Sequence, residues 1–137
     1  MARDIIHEPV KKALENAQWH VTDDQYTVVY AEFIVYADLA AERIIAAERG
    51  KQKIAVEIKS FIRPSAVQDV KDALGSFQMY QAFLAEVEPD RKMYLAISDR
   101  AYHDVFRLEA VQLLIRRYLI PLIVVDVERK EIVEWIE

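Results

Sequence analysis

The chain contains no cysteine and only two glycines, Gly50 and Gly75. Without a thiol there is no disulfide framework, thiolate zinc site, iron–sulfur cluster or cysteine nucleophile. Two glycines cannot write a G-x-G-x-x-G turn or a G-x-x-x-x-G-K-[ST] loop, so dinucleotide-binding and P-loop chemistry are excluded. Histidine is almost as scarce. His7, His20 and His103 are too scattered for an H-E-x-x-H helix, and no serine stands in G-x-S-x-G. Long apolar runs are missing as well: the longest, Tyr118 to Val125, is about eight residues against the ~20 that cross a bilayer. The first residues lack a signal-type apolar core, which predicts a soluble, cytoplasmic protein with no membrane partner. Positive charge is in deficit too. With 18 Lys and Arg against 23 Asp and Glu, the net charge of −5 argues against non-specific coating of nucleic acid, though a local basic groove stays compatible with it.

What is present describes one globular domain over residues 1–137. The 53% hydrophobic and 30% charged composition is neither disordered nor collagenous, and a chain of this length buries roughly two-thirds of its unfolded surface. Asp4 is placed to cap a helix running to about Ala17, with Pro9 obscuring its start. Segments near Trp19–Thr22, Tyr26–Tyr30 and Phe33–Asp38 are rich in Val, Ile, Tyr and Thr and read as short strands. Arg43–Glu48 and Lys53–Lys59 flank Arg49-Gly50 and read as a hairpin. Ser65 with Gln68 forms a capping box opening a helix to about Val87, whose apolar positions form one stripe. Met93–Ile97 is a strand, Ala101–Tyr118 is helical with an interruption near Arg107, and Leu122–Asp126 and Glu131–Ile136 close the chain as strands. This order predicts an α/β sandwich around a mixed sheet.

One strand departs from an apolar pattern. In Lys53–Phe61 the alternation of side chains puts Ile54, Val56 and Ile58 on one face and Ala55, Glu57 and Lys59 on the other. Acid-x-Lys is a common tripeptide, and the chain holds four: Glu57-Lys59, Asp69-Lys71, Asp90-Lys92 and Glu128-Lys130. Three fall on a helix or in turns, where charges are solvated. Only Glu57-Lys59 lies among aliphatics, either as a structural ion pair or as part of a divalent metal site. The second reading needs another carboxylate, because magnesium takes one or two carboxylates and completes its shell with water and phosphate, while a lysine offsets transition-state charge. Asp38 and Glu42 are the candidates. A turn centred on Arg49-Gly50 brings Glu42 across from Glu57, whereas Asp38 comes level only through a bend at Ala40-Ala41.

Asp38, then Glu57-Ile58-Lys59 on the next long strand, followed by a helix, resembles the PD-(D/E)xK nuclease superfamily. Over nearly the whole chain, Asp4-Ile-Ile-His7, Ala37-Asp-Leu-Ala-Ala-Glu42, Ile45-Ala-Ala-Glu48, Lys53 to Phe61, Pro64-Ser-Ala66, Ala73-Leu-Gly75, Glu88-Pro-Asp-Arg91, Tyr94-Leu-Ala96 and Trp135-Ile136 resemble the XisH family, fdxN element excision controlling factors. The resemblance implies a restriction-endonuclease-like, three-layer α/β domain with a mixed central sheet flanked by helices. It also implies a role in controlling site-specific excision of a DNA element, alongside a recombinase and a companion protein, XisI. By the superfamily motif, Asp38 and Glu57 would hold Mg²⁺ or Mn²⁺ and Lys59 would be the catalytic lysine, with Glu42 in reserve and Glu8 at the place of a helix glutamate seen in many such nucleases. Related sequences tend to carry Gln where this chain has Ser76, four before Tyr80, so the Q-x-x-x-Y motif is incomplete.

The rival reading is a module of the same fold with a vestigial site, binding DNA or partner proteins in an excision complex; a homo-oligomer stays open. Arg63, Lys71, Arg116 and Arg117 could line a phosphate track, but solvated positions suit each. Gly75-Ser76 in mid-helix reads as a place of close backbone approach. Trp19 and Trp135 are expected at core edges, and His103-Asp104 as a surface pair.

Overall fold

The computed structural model describes residues 4–45, 50–62 and 64–137. In chain order the elements are α1 (His7–Asn16), β1 (His20–Asp23), β2 (Tyr26–Tyr30), β3 (Phe33–Ala37), β4 (Leu39–Ile45), β5 (Gly50–Ile58), α2 (Ala66–Val87), β6 (Arg91–Ser98), α3 (Asp99–Ala101), α4 (Glu109–Tyr118), β7 (Leu122–Asp126) and β8 (Glu131–Ile136). A π-helical turn, Tyr102–Phe106, continues α3, and the break before α4 falls at Arg107-Leu108, where the sequence places an interruption.

Six strands form one mixed sheet in the order β1-β4-β5-β6-β7-β8, while β2 and β3 pair as a separate hairpin. Strands β5, β6 and β7 run parallel, and the outer pairings are antiparallel. Alternation sorts the sheet into two cores. Ile54, Val56, Ile58, Tyr94, Ala96, Ile123 and Val125 face α1, whereas Ala55, Met93, Leu95, Ile97, Leu122 and Val124 face α2, α4 and the hairpin. The molecule is thus a three-layer α/β structure, and its central strands are continuously apolar because helices cover both faces.

Several local expectations are corrected. Asp4 does not cap α1: Ile6 stands at that position without a side-chain bond. The Asp4 carboxylate instead accepts from the Ile6 amide at 3.1 Å and the Ser60 amide at 3.0 Å, tying the start of α1 to the exit of β5. Pro9 sits in the first turn of α1, where its missing N–H has no intrahelical acceptor to lose. The strand expected from Arg43 begins at Leu39. Ala40 and Ala41 are fully buried, so packing overrides the weak strand preference of alanine. Gly50 is the first residue of β5, opposite Ile45, rather than the centre of the turn. Arg49 and the end of the expected Arg43–Glu48 strand lie outside the described residues, as does Arg63.

Helix α2 has the expected limits, and Ser65 Oγ accepts from the Gln68 amide at 3.2 Å. The reciprocal half of the capping box is not made, because the Gln68 side chain donates to Asp72 at 2.9 Å. Gly75 does not mark a close approach either: a β-carbon added there meets nothing within 4 Å. Trp19 is only 3% exposed, inside the α1-side core rather than at its edge, and packs at 5.6 Å between ring centres on Trp135, which lies partly buried against that core. His103 pairs with Asp104 at the surface at 3.1 Å. Lys71, Arg116 and Arg117 are exposed.

Candidate functional site

The register of the β4–β5 hairpin decides which acid meets Glu57. Glu42 pairs with Lys53 and Leu39 with Val56, so one step further along the ladder brings position 38 level with Glu57. The Asp38 carboxylate accepts from the Ile58 amide at 2.7 Å and shares a hydrogen bond with the Glu57 side chain. The bend that brings Asp38 level is at Asp38 itself, between β3 and β4, rather than at Ala40-Ala41, where the ladder to β5 is unbroken. The expectation that Glu42 lies across from Glu57 is therefore corrected. It rested on a turn centre displaced toward Gly50. Glu42 is engaged elsewhere, 3.1 Å from Lys51 and 3.8 Å from Arg91.

Glu57 lies on the face of β5 covered by α2, alongside Ala55. Burial pushes its carboxyl up to about 10, and the hydrogen bond and negative charge of Asp38 push the same way, against the opposing pull of Lys59. Two carboxyl groups this close in a partly dry place hold one proton between them unless a cation joins them. The donor set fits a hard divalent ion, which accepts two carboxylate ligands and takes water or phosphate oxygen for the rest. Asp38 and Glu57 are the residues that would hold it.

No ion pair joins Lys59 to Glu57. The ammonium of Lys59 instead stands 4.0 Å from Asp69 Oδ1, on α2. Asp69 is only 1% exposed, whereas the Lys59 side chain keeps 29% of its surface in water. This corrects the reading of Asp69-Lys71 as a solvated pair on a helix. The signal was present: Asp69 stands four residues before Ala73 in the stripe that continues through Phe77 and Leu84, so it occupies a core position. Tyr80 lies on the same stripe, and its hydroxyl is pushed up by burial and by the charges of Glu57 and Asp38. Asp69, in the first turn of α2, meets Lys59 just beyond the end of β5, while Tyr80, three turns further along the helix, feels the charges of Glu57 and Asp38; Ser76 lies partly buried one turn before it.

Glu8 does not join this group. It is exposed on the first turn of α1, in the layer across the sheet, and its carboxylate gathers with His7 and Asp24 within 4.8 Å. There His7 Nε2 lies 2.8 Å from Asp24 Oδ1, and Lys11 holds the other Asp24 oxygen at 3.1 Å. Asp38 and Glu57 are brought together with Lys59, Asp69 and Tyr80, while Glu42 and Glu8 are not.

Among solved structures, the chain is similar to a fdxN element excision controlling factor protein from Anabaena variabilis, with 39% identity and a TM-score of 0.89 over 98% of this chain and 100% of that one. It is also similar to an XisH family protein from Nostoc punctiforme PCC 73102, with 36% identity, a TM-score of 0.89 and the same coverage. No curated protein matches. No helix among the described residues is long and apolar enough to cross a membrane. The family model for XisH protein matches residues 1–133, and with two solved relatives sharing more than a third of its residues the chain belongs to the XisH family.

Proposed function

We propose that this chain controls site-specific excision of a DNA element in the cytoplasm, through a restriction-endonuclease-like domain with a phosphodiester site dependent on Mg²⁺ or Mn²⁺. The observation that carries the reading is the Asp38–Glu57 carboxyl pair, drawn level on adjacent strands with Lys59 two residues beyond. In this reading Asp38 and Glu57 hold the ion, which when bound polarises a phosphate oxygen and lowers the pKa of a water. Lys59 faces the attacked phosphate and offsets its growing charge. Asp69 aims the ammonium from behind, and Tyr80 closes the carboxylates off from the apolar core under α2. DNA is the substrate class, and an XisI-like companion and a site-specific recombinase are the partners.

A second reading has its own support: a catalytically vestigial module of the same fold that binds DNA or partner proteins. The net charge of −5 favours it over a free-standing cutter, which uses a basic face to hold DNA, and Ser76 stands where related sequences tend to carry Gln. Incubation with supercoiled plasmid and Mn²⁺, alone and with the companion protein, separates the two. Nicking that disappears in Lys59→Ala supports the catalytic reading. Silence in both conditions, together with calorimetric Mn²⁺ binding that is the same in wild type and Glu57→Ala, removes the metal site altogether.

A further inference from the structure

A cleft of about 710 Å³ opens outside the carboxyl ends of the parallel strands β5, β6 and β7. It uses none of Asp38, Glu57, Lys59, Asp69 or Tyr80. Its apolar lining comes from Ile5 and Ile6 on the approach to α1, Phe61 at the exit of β5 and Val127 beyond β7. Ile5 and the adjoining Ile62 are left 69% and 65% exposed. Its two walls carry acids: Asp99 and Asp104 after β6, and Asp126 and Glu128 after β7. Arg100 is the one cation among the described lining residues.

Surface cations offset part of this charge. Arg100 lies 3.7 Å and His103 3.1 Å from Asp104, and Arg129 lies 4.0 Å from Asp126. Asp99 and Glu128 make no ion pair among the described residues. Among the described residues, a lining of four acids against Arg100 disfavours a phosphate backbone and an anionic lipid surface alike. It does not suit a single metal ion, because no three of these acids bring ligand atoms within 4.8 Å of one another. A lining that sets apolar groups among charged ones is the anatomy of a protein–protein contact, and the volume lies within the range of clefts that bury most of a ligand's surface.

We propose that this cleft docks a short segment of a partner protein in which Arg or Lys alternates with Leu or Ile. The aliphatic side chains lie on Ile5, Phe61 and Val127, and the cations reach the acids on the two walls. The charge of the lining sets how fast and how selectively the segment is captured, and its apolar part sets how long it stays.

The test is fluorescence anisotropy of a short labelled Arg/Leu peptide against the full chain at about 0.15 M salt. Wild type is expected to bind saturably. Asp104→Lys with Glu128→Lys, both exposed and on opposite walls, is expected to bind at least about tenfold more weakly. The same charge change at exposed Glu15 and Glu86, away from the cleft, is expected to cost about twofold or less. Ile5→Ser is expected to shorten residence, and Lys59→Ala to change nothing. Equal losses in both charge-reversed pairs, equal binding of an Arg/Ser peptide, or no saturable binding to wild type overturns the proposal. Self-association of the chain that disappears in the Asp104→Lys, Glu128→Lys variant overturns it in favour of a second copy as the occupant.

Discussion

At the scale of single residues, Glu57 holds a proton that an exposed glutamate would have lost. Its carboxyl is pushed up to about 10 from an ordinary value of 4.5. Between those two values the folded chain binds more protons than the unfolded chain, so this group lowers stability as pH rises through the window. Glu57→Gln removes the penalty while keeping the shape. Urea unfolding at pH 5 and pH 8 is expected to show wild type losing more stability than the variant, by on the order of 2 kcal/mol after allowance for partial exposure. A variant that tracks wild type would mean Glu57 ionises freely.

At the scale of elements, α2 carries a weak point in its middle and an anchor at its far end. Gly75 is exposed, has open space around it and an ordinary backbone angle. Gly75→Ala is therefore expected to raise stability by about 0.5–1 kcal/mol through a less mobile unfolded chain, read as a higher urea midpoint at unchanged slope. The far end of α2 is held by Arg91, only 6% exposed. Its guanidinium donates to Glu88 at 3.0 Å and to the Ile54 carbonyl at 3.0 Å, and stacks 4.8 Å from the centre of the Tyr26 ring. It joins α2, β5, β6 and the β2–β3 hairpin. Arg91→Ala is expected to cost about 3–5 kcal/mol by stranding buried acceptors. Arg91→Lys should restore little of it, since one ammonium cannot serve that planar set of partners.

At the scale of the whole molecule, the charge balance limits what the chain does alone. Non-specific duplex affinity comes from Lys and Arg on phosphate, so a chain of net charge −5 is expected to bind a short duplex no more tightly than about 10⁻⁴–10⁻⁶ M at physiological salt, measured by anisotropy. Much tighter binding by the chain alone would mean a local basic groove that its net charge does not reveal.

The order and periodicity of the segments marked an α/β sandwich with Met93–Ile97 and Leu122–Asp126 as continuously apolar central strands, as a sheet with a core on either side needs, while the three-layer arrangement was implied by the family resemblance. They also marked Glu57 and Lys59, since charges among aliphatics stand out against a period of two. Two matters were decided only in space. Which acid stands level with Glu57 depended on a strand register, which shifts whole by one residue with the position of the turn, and the hairpin arithmetic puts Glu42 there where the motif puts Asp38. The dispersal of Glu8 to the other layer depended on the side from which α1 packs, whereas the burial of Asp69 was already written in its place on the α2 stripe. Local patterns report what each segment buries; only long-range packing decides which buried groups meet.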